Sequence, residues 1–452
     1  MQTPISADSA PGAPKRPWHR ELDSNHWRVL TASFLGWIFD GYETTALILV
    51  MVPALRQLLE PSQIPELSRY AGLLLAMTLL GWATGGLLAG VLADYVGRKR
   101  MMIFTILIYA IFTGLTGFAQ NWIQMCVFRF LAGLGLGGEW ATGTTLLAES
   151  WPLRARAKGL GIMQSAYGWG SLLAAGIWYV LQSFGGPMAW RYLFFIGVLP
   201  AFAVLYIRQH VHESEKWVAR HALRKELCSK QSSGQRLSMD EAVVARFTVA
   251  SILGNRPLRN LMLKCLVMSL ASTLGYWAIS SWVPSYVESV CRASGCENPT
   301  RWSAIAGLLY NGGAIVGYLA GGFLADIIGR RWLLTSFFVG SLLTTPVLYL
   351  WTHSPWAIVA AAGLNGAFTL GQFVWIAIYP QELFPTAVRA TAASMVFDTS
   401  RFISFLGPLF AGVLITRLGG YSSTALLLSL VYLPALLVVP FLPETKGKPL
   451  PA

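Results

Sequence analysis

The chain has 452 residues, of which 54% are hydrophobic and 12% charged, and its mean hydropathy is +0.52. A soluble domain carries about 25% charged residues, so this composition excludes an ordinary soluble protein and indicates a chain that crosses a membrane many times. The formal net charge of +13 does not mark a nucleic-acid binder, because Lys and Arg fall in short segments between apolar runs.

Residues 1–26 are polar and hold no short apolar segment before a small-residue cleavage site, so they read as a tail without a cleavable signal peptide. Twelve apolar runs follow: 27–58, 69–93, 100–119, 122–149, 157–183, 189–210, 260–290, 302–328, 332–352, 355–381, 388–416 and 420–442. Each approaches or exceeds the roughly 20 residues that a spanning helix needs. Six runs fill 27–210 and six fill 260–442. Between them, 211–259 is the longest hydrophilic stretch, expected to be a linker with a short amphipathic helix, and 443–452 is a second tail.

Within the first run, "GWIFDGYETTALILV" (36–50) places Asp40 and Glu43 three apart, on one helix face. A carboxylate at the bilayer centre costs roughly 2.5–3.5 kcal/mol on insertion scales. Two in one run should face a wet cavity, pair with cations or bind protons. Burial opposes ionisation of a carboxyl and a nearby guanidinium favours it, so an acid whose arginine partner comes and goes can load and release a proton.

The fourth run carries Arg129 and then Glu139, in "GGEW", where Gly135, Gly137 and Gly138 allow close helix approach. Glu139 reads either as a second proton group or as a structural hydrogen-bonding acid. Gln164, Asn311 and Gln372 are polar residues in later runs, and Trp37, Tyr42, Trp140, Trp169, Tyr276, Trp277, Tyr310 and Trp375 are aromatic residues near the charges. Such residues line sites for ligands of mixed polarity, or else serve as helix–helix hydrogen bonds and core. The eleventh run holds Asp398 and Arg401 in "VFDTSRFISFLGP", again three apart. A guanidinium binds a substrate carboxylate in a planar two-bond fork; alternatively Asp398 neutralises it within the helix.

The five cysteines show no metal-ligand spacing. Cys291 and Cys296, in "CRASGC", are close enough for a small bridged loop, and the sequence leaves that open. No nucleophile–base constellation or nucleotide loop appears, so an enzyme is not expected.

Orientation follows from the basic residues. With the N-terminus inside, 26 of the 34 Lys and Arg lie on the inner side and 6 on the outer, leaving Arg129 and Arg401 in apolar runs. Both termini and the linker are therefore expected in the cytoplasm. The halves also repeat: "GVLADYVGRK" (90–99) recurs as "GFLADIIGRR" (322–331), "ESWPLRARAKG" (149–159) as "ELFPTAVRATA" (382–392), and "HESEKW" (212–217) is echoed by "PETKG" (443–447). The offsets agree within two residues, and Pro53 and Pro284 fall in the same register. The six-helix halves are thus expected to be parallel copies related by an axis along the membrane normal.

With these motifs the chain resembles the major facilitator superfamily over nearly its whole length. The "G-x-x-x-D-x-x-G-R-[KR]" loops are the most specific mark. "ESEKW" and "PETKG" look like the sugar-porter and organic-ion branches, "GLGLGGEWATGTTLLAESWP" like metabolite and sialate proton symporters, and "DGYET" like aromatic-acid proton symporters, with Glu43 replacing their second Asp. The resemblance implies an all-α fold of twelve transmembrane helices in two six-helix bundles, working by alternating access. It places Arg129 opposite the first-helix acid, Glu43 at the sugar porters' proton-carrying Asp, Asp40 at the extra acid of the aromatic-acid carriers, Arg401 at an anion-binding Arg and Gln164 at the sugar porters' substrate Gln. Aromatic-acid carriers usually show an amide where Asp398 stands.

The loops read as gates. Gly90 permits close approach of helices two and eleven, Asp94 meets the N-terminal end of a neighbouring helix, and Arg98, after Gly97, ties the loop to Glu149. Asp326, Arg330 and Glu382 are expected to repeat this in the second half.

The expected protein is a symporter of the bacterial inner membrane, importing a small organic anion such as a carboxylate or aromatic acid with protons. It should need no cofactor beyond that coupling ion, engage lipid but no nucleic acid, and function as a monomer. A proton-coupled sugar or polyol carrier is the alternative, a cationic-compound exporter is weaker, and a transporter-like nutrient sensor is disfavoured by the short C-terminal tail.

Overall fold

The computed structural model describes residues 17–184, 186–233, 238, 248–297, 299–351 and 354–451. Most of the expected N-terminal tail and part of the linker lie outside these. Every expected run is helical. The first five are single helices, Ser24–Leu58, Leu67–Val96, Arg98–Thr116, Trp122–Ser150 and Leu153–Phe184. The sixth is split into Ala189–Ile196 and Pro200–His210, and the seventh into Arg256–Ala278 and Val283–Ala293. Pro200 and Pro284 open the second pieces, where a missing N–H costs nothing. The eighth and ninth helices are Pro299–Ile328 and Arg330–Pro346. The tenth comprises Pro355–Thr369 and Val374–Leu383, the eleventh Arg389–Ser404 and Leu406–Arg417, and the twelfth Tyr421–Ser429 and Tyr432–Val438. Pro434 has no N–H for the carbonyl of Leu430, which accounts for the break in the twelfth. The linker contributes helices Glu215–Ser232 and Thr248–Gly254.

Among the described residues, nine helical stretches are long and apolar enough to cross a membrane. The fourth, fifth and eleventh helices are not among them. They carry Arg129 and Glu139, Gln164, and Asp398 and Arg401, and their polarity faces the protein interior, where these residues are buried.

Helix seams are built on small residues, as expected where lipid removes the hydrophobic drive between helices. A Cβ on Gly85 would lie 2.0 Å from the Leu134 carbonyl oxygen, so the second and fourth helices touch backbone to backbone. The eighth and tenth repeat this at Gly313, whose Cβ would lie 1.8 Å from the Gly363 oxygen. Between the halves, Gly90 of the second helix meets Ser394 of the eleventh, and Gly161 of the fifth meets Gly322 of the eighth.

Candidate substrate, proton and gate sites

The first helix brings Asp40 and Glu43 to the interior on one face, and both are fully buried. Glu43 Oε2 accepts from Arg129 Nη1 at 2.9 Å and from Thr113 Oγ1 at 2.8 Å. Arg129 also lies over the Phe194 ring, 5.4 Å from its centroid. Tyr42, between the two acids, turns away and donates to the Leu193 carbonyl at 2.7 Å. Neither the Asp40 nor the Glu139 carboxylate has a hydrogen-bond partner among the described residues. Arg129 thus takes Glu43, and Glu139 lies against the first helix at Gly36 instead of joining the arginine.

A cavity of about 30 Å³ lies between the halves. It has room for water but not for an organic substrate, so the centre of the molecule is contracted in this state. Trp37, Trp82, Gln164 and Tyr167 line it from the first half; Tyr276, Tyr318, Phe373, Phe397 and Arg401 are among the residues lining it from the second. Arg401 pairs with Asp398 Oδ1 through Nη1. Its guanidinium carbon lies 3.6 Å from the Phe397 ring centroid and 4.3 Å from that of Trp82. These faces stabilise a cation and leave the guanidinium edge for an anion. Gln164 Oε1 accepts from Trp140 Nε1 at 3.0 Å.

Of the sequence candidates for substrate contact, Arg401, Gln164 and Tyr276 line the cavity, and Asp398 reaches it through Arg401. Asn311, Gln372 and Trp375 are not among its lining residues. Asn311 donates to the Gly307 carbonyl at 2.9 Å, Trp375 to Ser272 Oγ at 3.1 Å, and Gln372 to the Thr369 carbonyl at 2.9 Å while accepting from Ser272. Trp82, Tyr167, Tyr318, Phe373 and Phe397 escaped the sequence reading. Phe397 had a usable signal, standing four before Arg401 on one helix face; the others had none in their local sequence.

The gate motifs form a ring of bonds at the end of the molecule that holds both loops. Gly97 and Gly329, at φ +110° and +87°, occupy the left-handed region that a side chain disfavours. Each turns the chain so that the next two backbone N–H groups point at one acid. Arg98 N and Lys99 N donate to Glu213 at 3.0 and 3.1 Å; Arg330 N and Arg331 N donate to Glu444 at 3.0 and 3.1 Å. The "HESEKW" and "PETKG" echo therefore has a physical meaning: each supplies an anchor for a helix N-terminus. Partial burial pushes the Glu444 carboxyl up, but bonds from the N–H groups of Arg330, Arg331, Lys446 and Thr445 outweigh it and hold this group below the usual carboxylate range.

Asp94 Oδ2 accepts from Thr391 N at 3.0 Å and Thr391 Oγ1 at 2.7 Å, at the start of the eleventh helix. Arg98 bonds Glu149 and the Thr386 carbonyl, both at 3.2 Å, while Arg389 reaches Glu149 at 3.0 Å. In the second half, Arg330 pairs with Glu382 at 2.6 Å and with Asp326 at 3.1 Å. Asp326 departs from its counterpart. It is more exposed and takes the Lys158 ammonium instead of a helix N-terminus. Cys291 and Cys296 are free thiols.

A buried guanidinium at the wall of a central cavity, with buried acids on the first, fourth and eleventh helices of two repeated bundles tied by matching loops, fits a membrane transporter. Residues 29–452 match the family described as "Sugar (and other) transporter", and the chain belongs to that family. The chain is 29% identical to the "Probable 4-methylmuconolactone transporter" of Cupriavidus pinatubonensis, over 95% of this chain and 93% of the relative. It is 27% identical to the "Sialic acid transporter NanX" of Escherichia coli, over 89% and 90%. Its fold matches the proton:xylose symporter XylE bound to 6-bromo-6-deoxy-D-glucose, with a TM-score of 0.73 at 18% identity, over 94% of this chain and 98% of that one. The protein is a multi-pass membrane transporter of small metabolites and not an enzyme.

Proposed function

We propose that this transporter is a proton-coupled symporter of the bacterial inner membrane, importing a small organic anion, a carboxylate or aromatic acid, by alternating access and acting as a monomer. The observation that carries this reading is Arg401, a buried guanidinium held between two aromatic rings at the wall of the central cavity. A permanent charge there is costly unless an anion meets it, and a substrate carboxylate competes with Asp398 for it. The names of two relatives, transporters of a muconolactone and of sialic acid, point to the same substrate class. Glu43 with Arg129 is assigned to coupling, with Asp40 and Glu139 as neighbouring acids: a proton on Glu43 releases Arg129 and favours one state of the cycle. The bonds from Asp94, Arg98 and Arg389 hold the cytoplasmic side closed when the carrier faces outward.

Thermal-shift screening of the purified protein against carboxylates, aromatic acids and sugars should identify a ligand among the acids, and proteoliposomes should then accumulate it under an imposed pH gradient. Glu43→Gln should abolish accumulation and retain part of the substrate exchange, because the amide mimics the loaded acid. Accumulation by both Glu43→Gln and Asp40→Asn would place coupling elsewhere. A sugar carrier is the second reading, favoured by Gln164 at the cavity wall. A neutral sugar bound equally well by wild type and Arg401→Ala would establish it over the anion reading.

A further inference from the structure

Two acids in the first half take no part in the ion pairs above. Asp40 and Glu139 are both 0% exposed, and none of their four carboxylate oxygens has a hydrogen-bond partner among the described residues. Glu139 fills the notch left by Gly36, where a Cβ would stand 1.8 Å from its Oε1. Gly36 lies one helical turn before Asp40, so both acids lie along the seam of the first and fourth helices. The Tyr109 hydroxyl of the third helix, also buried and without a partner, faces the same acids.

The other charged groups in reach of Asp40 are Glu43 on its own helix and Arg401 and Asp398 on the eleventh. Tyr167 approaches from the fifth. Arg401 is engaged by Asp398, and Arg129 by Glu43. Neither guanidinium bonds Asp40 or Glu139. Two bare carboxylates there would lose their hydration and repel each other, whereas one proton removes a charge and supplies a strong O–H···O⁻ bond.

We propose that Asp40 and Glu139 hold one proton between them, as a carboxylic acid bonded to a carboxylate, and that this pair is a second proton site distinct from Glu43–Arg129. The step involves a proton alone: it binds one carboxylate oxygen and leaves from it, with no other bond made or broken. The first helix runs away from the gate loops and the fourth runs toward them. Glu43, Asp40 and Glu139 therefore descend in that order toward the gate end, and the pair stands where a proton leaving Glu43 is next received. This role in transport rests on the coupling reading above; the existence of the shared proton does not.

Infrared spectroscopy of the purified protein at neutral pH, in water and in heavy water, tests the pair without any substrate. Wild type should show the C=O stretch of a protonated, hydrogen-bonded carboxyl. Asp40→Asn and Glu139→Gln should each shift or remove that same band, and Glu43→Gln should leave it. Gly36→Ala retains both acids but drives its methyl into the mobile end of Glu139, so it should disturb the band as Glu139→Gln does. Should Glu139→Gln fail to fold, Gly36→Ala and Asp40→Asn carry the test. Absence of a protonated-carboxyl band, or Asp40→Asn and Gly36→Ala acting on different bands, would overturn the proposal. Uptake that ignores an imposed pH gradient would instead sink the coupling reading and leave the band untouched.

Discussion

Arg401 touches three partners at once: the Asp398 carboxylate and two aromatic faces. Their separation is measurable. Arg401→Lys should weaken anion binding, because an ammonium cannot form the planar fork. Arg401→Ala should weaken it further, by roughly 1.5–3 kcal/mol for a lost charge-assisted bond. Trp82→Leu should remove about 0.5–2 kcal/mol of support from the ring face. Asp398→Asn should preserve or tighten binding by releasing the guanidinium. Calorimetric affinities and melting temperatures on these variants decide the matter. If Asp398→Asn and Arg401→Ala both lower the melting temperature and their double variant is no worse than either, the pair is structural.

At the scale of elements, the loop motifs act through helix ends. Asp94 accepts two bonds at the start of the eleventh helix and is not among the residues lining the central cavity. Asp94→Asn should therefore impair uptake far more than affinity, and a parallel fall in both would place Asp94 at the binding site. Glu444 adds a pH dependence. Its carboxyl is held below its ordinary value of 4.5 by backbone N–H bonds. A depressed carboxyl stabilises the fold fully at pH above that ordinary value, and the contribution is lost as pH falls through the lower folded value. Glu444→Gln should lower the melting temperature at neutral pH and flatten its fall between neutral and acid; an unchanged acid slope would contradict the assignment. The free thiols of Cys291 and Cys296 lead to a smaller expectation: mass analysis of unreduced protein should find both unbridged.

Across the whole molecule, the halves meet where glycines face each other. A Cβ on Gly161 would stand 2.7 Å from the Gly322 Cα, a contact with backbone that cannot swing aside. Overpacking of this kind costs about 1–3 kcal/mol, so Gly161→Leu should depopulate the state seen here by roughly five- to 150-fold relative to one with the halves rocked apart. Uptake should fall while the protein still folds and binds ligand in a thermal-shift assay. Unimpaired uptake would mean that this seam does not close during the cycle.

Apolar runs in the sequence match all twelve helices, and the repeat pairs the Arg98–Glu149 bond with the Arg330–Glu382 bond, because both signals are local to the chain. Charge in the loops gives an expected orientation, with both termini in the cytoplasm. Tertiary structure alone decided which acid receives Arg129, that Glu139 rests on Gly36, that Asn311, Gln372 and Trp375 bond within the second half away from the cavity wall, and that Trp82 and Phe397 hold Arg401. These depend on how each helix is rotated and crossed against its neighbours. That rotation is set by backbone contacts at glycines on different helices, such as Gly85 with Leu134 and Gly313 with Gly363. No single helix records it: the side chain that meets a given charge comes from whichever neighbour the seam allows closest.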